Sequence, residues 1–254
     1  MDRRLDGTVA LVTGASSGIG EATAQALALE GATVSLVARR RDRLEALANK
    51  IGEAGGKALV LEADVSDEKQ AGEAVDKTVA ELGRLDTLVN NAGVMLLGPA
   101  VRAPLEEWQR MVQVNLLGLL YCSHAALPHL LKAAESDPRQ VADMVNISST
   151  AGRVARAGSG VYNATKHGVV AFTEALRQEV TTSHLRASVV EPGAVITELP
   201  THNRPEILET MRNRFGSMEM LNADDIADAV TYIVTRPRHV AVNELLIRPT
   251  EQNF

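Results

Sequence analysis

Residues 8–12, Thr-Val-Ala-Leu-Val, are a short apolar and β-branched run that leads straight into Thr13-Gly14-Ala15-Ser16-Ser17-Gly18-Ile19-Gly20. A helical pattern follows, marked by Ala22, Ala26, Leu27 and Leu29 and ended by Gly31. Strand, glycine loop, helix is the context in which such a loop cradles a dinucleotide. Glycines permit a tight turn and a close backbone approach to a pyrophosphate. The first amides of the helix point at the anion, and the helix dipole favours its charge. Gly14, Ser16, Ser17, Gly18, Ile19 and Gly20 are therefore candidate cofactor contacts. The spacing is Gly-x-x-x-Gly-x-Gly rather than Gly-x-Gly-x-x-Gly, and a plain glycine-rich turn is the alternative.

The rest of the chain repeats the alternation. Residues 33–38 read as a second strand, 43–54 as a helix, 57–62 as a third strand and 67–83 as a helix capped by Ser66. Residues 87–89 are a fourth strand, followed by Asn90-Asn91-Ala92-Gly93, where small residues let a ligand near the backbone. Pro104 opens a long helical stretch to about Ala134, and 135–139 is a polar loop. Residues 141–147 form a fifth strand, a helix carries Tyr162 to about Ser183, and 185–190 form a sixth strand. Residues 196–222 read as irregular and Met-rich, part of a substrate lid over about 194–222. Asn222 caps a last helix over 223–234, and 244–247 is a seventh strand. Residues 1–254 thus read as one α/β domain: a Rossmann-type, doubly wound parallel sheet of about seven strands with helices on both faces. Right-handed crossovers bring Gly14, Ala38, Asp64, Asn91, Ser149 and Gly193 to one sheet edge.

Tyr162 and Lys166 stand four apart on a helix, one turn above the other on one face. A phenol with a pKa of about 10 is a poor proton carrier at neutral pH, and a neighbouring cation pulls that value down. The pair suits a tyrosine that exchanges a proton with a substrate oxygen. The other reading is a surface pair with a solvated lysine. At the end of the second strand, an acid would hold the ribose hydroxyls of NAD. Ala38 stands there instead, followed by Arg39 and Arg40. With no carboxylate to repel a 2′-phosphate and a guanidinium fork to pair with it, these residues point to NADP. The arginines otherwise begin a solvated helix. Asp64 and Val65 are placed to cover an adenine ring, and Asn115 needs a partner if its apolar helix buries it.

Composition narrows the function further. With 45% hydrophobic and 23% charged residues in 254, the chain can bury a large core. A net charge of −6 leaves no footprint for nucleic acid or an anionic membrane. Its start lacks an apolar leader, and no apolar run is read as reaching the ~18 residues that span a bilayer. One cysteine, Cys122, allows no internal disulfide and fits a reducing cytoplasm. The six histidines form no metal-ligand spacing, so no metal is expected.

Taken together the motifs resemble those of the short-chain dehydrogenase/reductase family along essentially the whole chain. Residues 13–20 match its TGxxxGxG, Asn90 to Gly93 its NNAG, Tyr162 to Lys166 its YxxxK, and Pro192-Gly193 its PG turn. Ser149 precedes Tyr162 at the family's spacing, which singles it out over Ser148, and Asn115 matches the family's catalytic asparagine. The resemblance implies a carbonyl/alcohol oxidoreductase. Tyr162 would be general acid or base and Ser149 would bond the substrate oxygen. Lys166 would tune Tyr162 and hold the nicotinamide ribose, and Asn115 would hold a water. Asn91, Ala92, Gly93, Pro192, Gly193 and Thr197 would join Tyr162 and Lys166 among the NADP(H) contacts. It also implies a homotetramer or homodimer with a small-molecule partner. Met95-Leu96-Leu97-Gly98-Pro99 and Arg248-Pro249-Thr250 are similar to a branch that includes clavaldehyde and 3-hydroxy acid dehydrogenases. Arg153 and Arg156 read as solvated loop charges, with attraction of a substrate carboxylate as the alternative. An idle NADP-binding scaffold on the same fold is the rival function.

Overall fold

A strand covered on both faces needs apolar side chains at successive positions, and β1 (Val9–Thr13) meets that need. Ala10 and Val12 enter one core; Val9 and Leu11 enter the other. The computed structural model describes residues 3–136 and 138–253, the side chains of Arg214 and Phe215 aside. Asp137 of the predicted polar loop and the first two residues of the chain lie outside the described residues.

The chain continues through α1 (Gly18–Leu29), β2 (Thr33–Ala38), α2 (Arg41–Glu53), β3 (Lys57–Glu62), α3 (Glu68–Leu82) and β4 (Thr87–Asn90). Then come α4 (Leu105–Val112), α5 (Gly118–Ala134), β5 (Ala142–Ile147), α6 (Gly160–Val180), β6 (Leu185–Pro192), α7 (Pro205–Phe215), α8 (Ala223–Val234) and β7 (Glu244–Ile247). The sheet order is β3-β2-β1-β4-β5-β6-β7, all pairs parallel. The expected doubly wound sheet is therefore what forms, with its winding reversed between β1 and β4. One face buries Leu27 of α1, Leu44 and Leu47 of α2, and Ile226 and Val230 of α8. The other buries Ala71 and Val75 of α3, Ala126 and Leu130 of α5, and Leu176 of α6. Each fully buried leucine contributes about 1.5–3 kcal/mol by leaving water.

Three expectations are corrected. Ser66 does not cap α3. Asp67 does, accepting from Gln70 N at 2.9 Å, while the Ser66 hydroxyl donates to Asp64 at 2.7 Å. The long helix from Pro104 is continuous but carries a wide turn at Gln113–Leu117, where Gly118 N–H bonds Gln113 O. Its Leu105–Ala134 span is long and apolar enough to cross a membrane by length and composition, and its apolar side is used against α3 and the sheet. Residues 196–222 are not irregular throughout. A 3-10 turn (Leu199–His202) and α7 fill much of the segment, and Val195 bridges Leu221. Pro205 at the first helical position starts α7. Ile207, Leu208, Met211 and Phe215 stand at helical spacing, a signal the irregular reading passes over.

At the end of the sheet away from the glycine loop, Asp143 of β5 is buried beneath Arg186 of β6, at 2.7 and 2.9 Å. Arg186 also donates to the carbonyls of Val234 and Val240, and Arg139 pairs with Asp143 at 3.1 Å. Two dehydrated charges this well paired are near break-even as a unit, but removing one strands the other. Asp143→Ala is expected to cost about 3–5 kcal/mol in urea unfolding, because Arg186 stays buried without its counter-charge.

Candidate active site

The glycine loop is held by β4. Gly14 (φ +66) and Gly18 (φ +55) adopt left-handed backbone. A Cβ on Gly14 would lie 2.9 Å from Ala92 Cα, and one on Gly20 would land on Gly14 O and the Asn91 amide. Thr13 Oγ1 accepts from Asn91 N (3.0 Å) and Ala92 N (3.1 Å), and Asn91 Nδ2 donates to Thr13 O (2.9 Å). Strand β1 is thereby stitched to β4 at the winding reversal, where a crevice opens beyond the strand ends. Helix α1 starts with no side-chain cap on Ser17, so its first amides are left to other acceptors.

A cleft of about 1260 Å³ runs along this edge. It is lined at one end by Gly14, Ser16, Ser17, Gly18, Ile19, Ala38, Arg39, Arg40, Asp64 and Val65. It continues past Asn91, Ala92 and Gly93 to Ser149, Tyr162, Lys166, Pro192, Gly193 and Thr197. Two predicted residues do not line it. Gly20 lies beneath the loop, where its bare Cα lets α1 approach Asn91. Asn115 is 1% exposed; its Oδ1 accepts from Val94 N at 2.7 Å and its Nδ2 donates to Val94 O and Thr165 Oγ1. Both amide protons are spent on protein, so a water held by this side chain would have to donate to Oδ1.

Helix α6 presents Tyr162 and Lys166 into the cleft, both buried, with Lys166 Nζ 5.9 Å from the phenol ring centre. Lys166 Nζ donates to Ile147 O of β5 at 2.8 Å. The expectation that the cation lowers the Tyr162 pKa is not met. Burial pushes the phenol up to about 12, with the hydrogen bond to Ser149 pulling the other way. The same burial brings the Lys166 ammonium down to about 8, because charge is disfavoured out of water. Ser149 follows β5, and its hydroxyl accepts from Ala151 N at 3.1 Å. Ser148, its rival, is tied to Lys166 O at 3.0 Å. The loop between Ser149 and Tyr162 is folded back by Asn163, whose amide donates to Ala151 O and Val154 O.

The sequence missed several of these partners. Asn90, Ser123, Asn146 and Thr173 form a buried chain of hydrogen bonds under the site, at 2.9–3.0 Å. Their polarity looked like ordinary surface patterning within otherwise apolar elements. Arg153 keeps an exposed side chain but is paired rather than free to attract a substrate carboxylate. It bonds buried Glu191 and exposed Glu244, each at 2.5 Å, whereas Arg156 does line the cleft. Asn203 reaches over from the 194–222 segment, accepting from Leu97 N at 2.6 Å and donating to Met95 O at 2.8 Å. Glu198 bonds Arg40 and Arg43 at 2.8 and 2.6 Å, bringing a carboxylate to the place the sequence left without one. No local pattern signals such a contact across 158 residues. No metal-ligand cluster occurs among the described residues.

A family model for short chain dehydrogenases matches residues 8–207. A glycine betaine reductase from Emericella nidulans is 41% identical over 249 residues, which is 98% of this chain. The chain spans about a fifth of that relative's length, 19%. Among solved structures, the closed form of a serine dehydrogenase complexed with NADP+ superposes with TM-score 0.88 and 31% identity, over 97% of each chain. A 3-ketoacyl-(acyl-carrier-protein) reductase from Brucella melitensis complexed with NADH gives 0.85 and 32%, over 97% of this chain and 98% of that one.

The buried ammonium has a measurable cost. The folded Lys166 value of about 8 lies below 10.5, so between those pH values the unfolded chain holds a proton the folded chain has lost. Stability therefore rises with pH across that window, and below it the full depression, about 3 kcal/mol, opposes folding. Losing the bond to Ile147 O gives back about 1 kcal/mol. Lys166→Met is expected to stabilise the fold by about 1–2 kcal/mol at pH 7 and to flatten the rise toward pH 9.5, read by urea unfolding at several pH values.

Proposed function

The chain belongs to the short-chain dehydrogenase/reductase family, and from that premise we propose that it is an NADP(H)-dependent oxidoreductase. It interconverts an aldehyde or ketone and an alcohol, with Tyr162 as general acid and base. Family membership supports the coarser part, NAD(P)-dependent oxidoreduction of a small molecule. One observation carries the finer part: Ser149, Tyr162 and Lys166 share a cleft with the glycine loop and with Arg39 and Arg40.

A dinucleotide fits these residues. The uncapped start of α1, with Gly14 and Gly18 lining the cleft beside it, suits a pyrophosphate, and Asp64 with Val65 would flank an adenine. When bound, it supplies or accepts the hydride, and the protein handles the oxygen. A phenol near 12 is fully protonated at neutral pH, the correct state to donate as a carbonyl oxygen gains charge. Ser149 donates a second hydrogen bond to the same oxygen, and both are pre-positioned in a water-poor site. Lys166 keeps most of its charge at neutral pH, and as phenolate forms that charge offsets it. Asn115 positions Val94 and Thr165, and Thr165 in turn bonds Tyr162 O at 2.8 Å.

The substrate end carries Val94, Met95, Leu97, Ile207 and Met211, which favours a carbonyl with an aliphatic flank. Residues 194–222 are proposed as its lid. A cytoplasmic homotetramer or homodimer packed through α4–α5 and α6 completes the reading, with buried Cys122 inert, its thiol pushed up to about 12.

Two variants test it. Tyr162→Phe is expected to bind NADPH within about twofold of wild type while kcat/KM falls at least about 10³-fold on a panel of aldehydes, ketones and 3-hydroxy acids, followed by NADPH absorbance. Undiminished turnover would overturn the mechanism, and an idle scaffold would show no turnover in the wild type either. Arg39→Asp should lower the preference for NADPH over NADH by at least tenfold in KM ratio, the scale of a lost charge-assisted bond.

A further inference from the structure

Every nitrogen of the Arg40 guanidinium is engaged. Its Nε and Nη2 donate to Ser16 Oγ at 3.1 and 2.9 Å, and Nη2 also reaches Ser17 Oγ at 2.8 Å. Its Nη1 donates to Glu198 Oε2 at 2.8 Å. The other oxygen of Glu198 takes Arg43 Nη1 at 2.6 Å. Arg39, by contrast, is more than half exposed and only loosely paired with Asp64, at 3.8 Å. Ser16, Ser17, Arg40 and Glu198 all line the coenzyme end of the cleft.

This arrangement has a chemical consequence. A guanidinium fork flanked by two serine hydroxyls at the end of β2 is built to receive an anion with several acceptor oxygens. The anion present is a carboxylate of the protein itself. Glu198 is held well below the usual carboxylate range, at about 2, by the side chains of Arg40 and Arg43, so it is ionised at every pH of interest. A ribose 2′-phosphate and a carboxylate cannot share one face of Arg40, since like charges at bonding distance repel. A ribose bearing only hydroxyls makes no such demand. The second partner, Arg43, gives Glu198 somewhere to remain when it leaves Arg40.

We propose that Glu198 is a coenzyme-specificity residue, an internal competitor that occupies the 2′-phosphate seat on Arg40 and must withdraw for NADP(H) but not for NAD(H). The proposal rests on the coenzyme reading above and goes beyond it. Preference here is set by a carboxylate from the segment after β6 as well as by the residues ending β2. The net affinity for NADPH is then the difference between two anions competing for one guanidinium, whose Nη1 side Glu198 holds, and wild type discriminates less than its arginines alone would dictate.

The test is equilibrium binding, by titrating wild type, Glu198→Gln and Glu198→Ala with NADPH and with NADH and reading nucleotide fluorescence. Glu198 is nearly half exposed, so both variants keep the fold. Removing its charge is expected to tighten NADPH about three- to fivefold, the scale of one exposed ion pair, with NADH changed less than twofold. The gain should shrink as salt is raised, because the competition is electrostatic. Unchanged or weaker NADPH binding in both variants, or an equal shift for both nucleotides, would overturn the proposal and leave the coenzyme reading standing. Wild type that binds neither nucleotide would remove both.

Discussion

Everything at the functional edge depends on how β1 and β4 are stitched where the sheet reverses its winding. Two neighbouring parallel strands send their following segments to opposite sides, so the chain cannot close over the gap between them. Here Thr13 and Asn91 exchange side-chain and backbone hydrogen bonds across that gap. Gly14 and Gly20 let the segments touch, since any Cβ on either would collide with the Asn91 region. The stitch sets the floor of the cleft and aims the uncapped start of α1 along it. It also explains why Gly20, though part of the glycine signature, never reaches the cleft: its task is to let α1 sit close to β4.

Much of this was legible because burial on two faces leaves a plain trace. Residues 33–38, 57–62, 223–234 and 244–247 fold with the boundaries their apolar pattern and turn signals indicate. The glycine loop, Asn91 and the Tyr162–Lys166 pair were legible because each motif needs particular residue types at fixed spacing. What escaped was settled by competition or by distance. Ser66 and Asp67 are both good caps, and only the nearby Asp64 decided between them, by engaging the serine. Helix α7 does carry helical spacing at Ile207, Leu208, Met211 and Phe215, but the polar, Met-rich residues around it drew the reading toward a loop. The Asn90–Asn146–Thr173 relay and the Glu198–Arg40 bridge join segments far apart in the chain, and no local signal encodes such meetings.

The largest departure concerns the phenol and the ammonium. Spacing alone suggests that a cation stabilises a phenolate, but spacing says nothing about water. Both groups are dehydrated, and dehydration penalises both charges: it raises one value to about 12 and lowers the other to about 8. The pair therefore rests as phenol and a partly strained ammonium, suited to giving a proton up rather than taking one. Under the proposed mechanism, a donor kept loaded with its counter-charge nearby is what would favour the transition state of reduction over the resting state. The fold bears the cost of that arrangement in the stability lost to a buried charge.

The two halves of the cleft are held by different kinds of force, and this divides what must be rigid from what can move. Beneath Ser149, Tyr162 and Lys166, the bonds are buried and run to backbone: Lys166 to Ile147 O, Ser148 to Lys166 O, Asn163 to Ala151 O. Groups withdrawn from water are expensive to leave unpaired, so these contacts resist opening. Above the cleft, the 194–222 segment is fastened by Glu198 to two half-exposed arginines, and by the Asn203 amide to the 95–97 backbone. Exposed ion pairs are worth little and are readily exchanged for a ligand's charge. In the reaction proposed above, a rigid floor under Ser149 and Tyr162 and an exchangeable fastening over the coenzyme end is the distribution of strength that hydride transfer would need. Alignment within a fraction of an ångström would have to persist through every turnover, while the proposed lid would have to release a charged nucleotide each time.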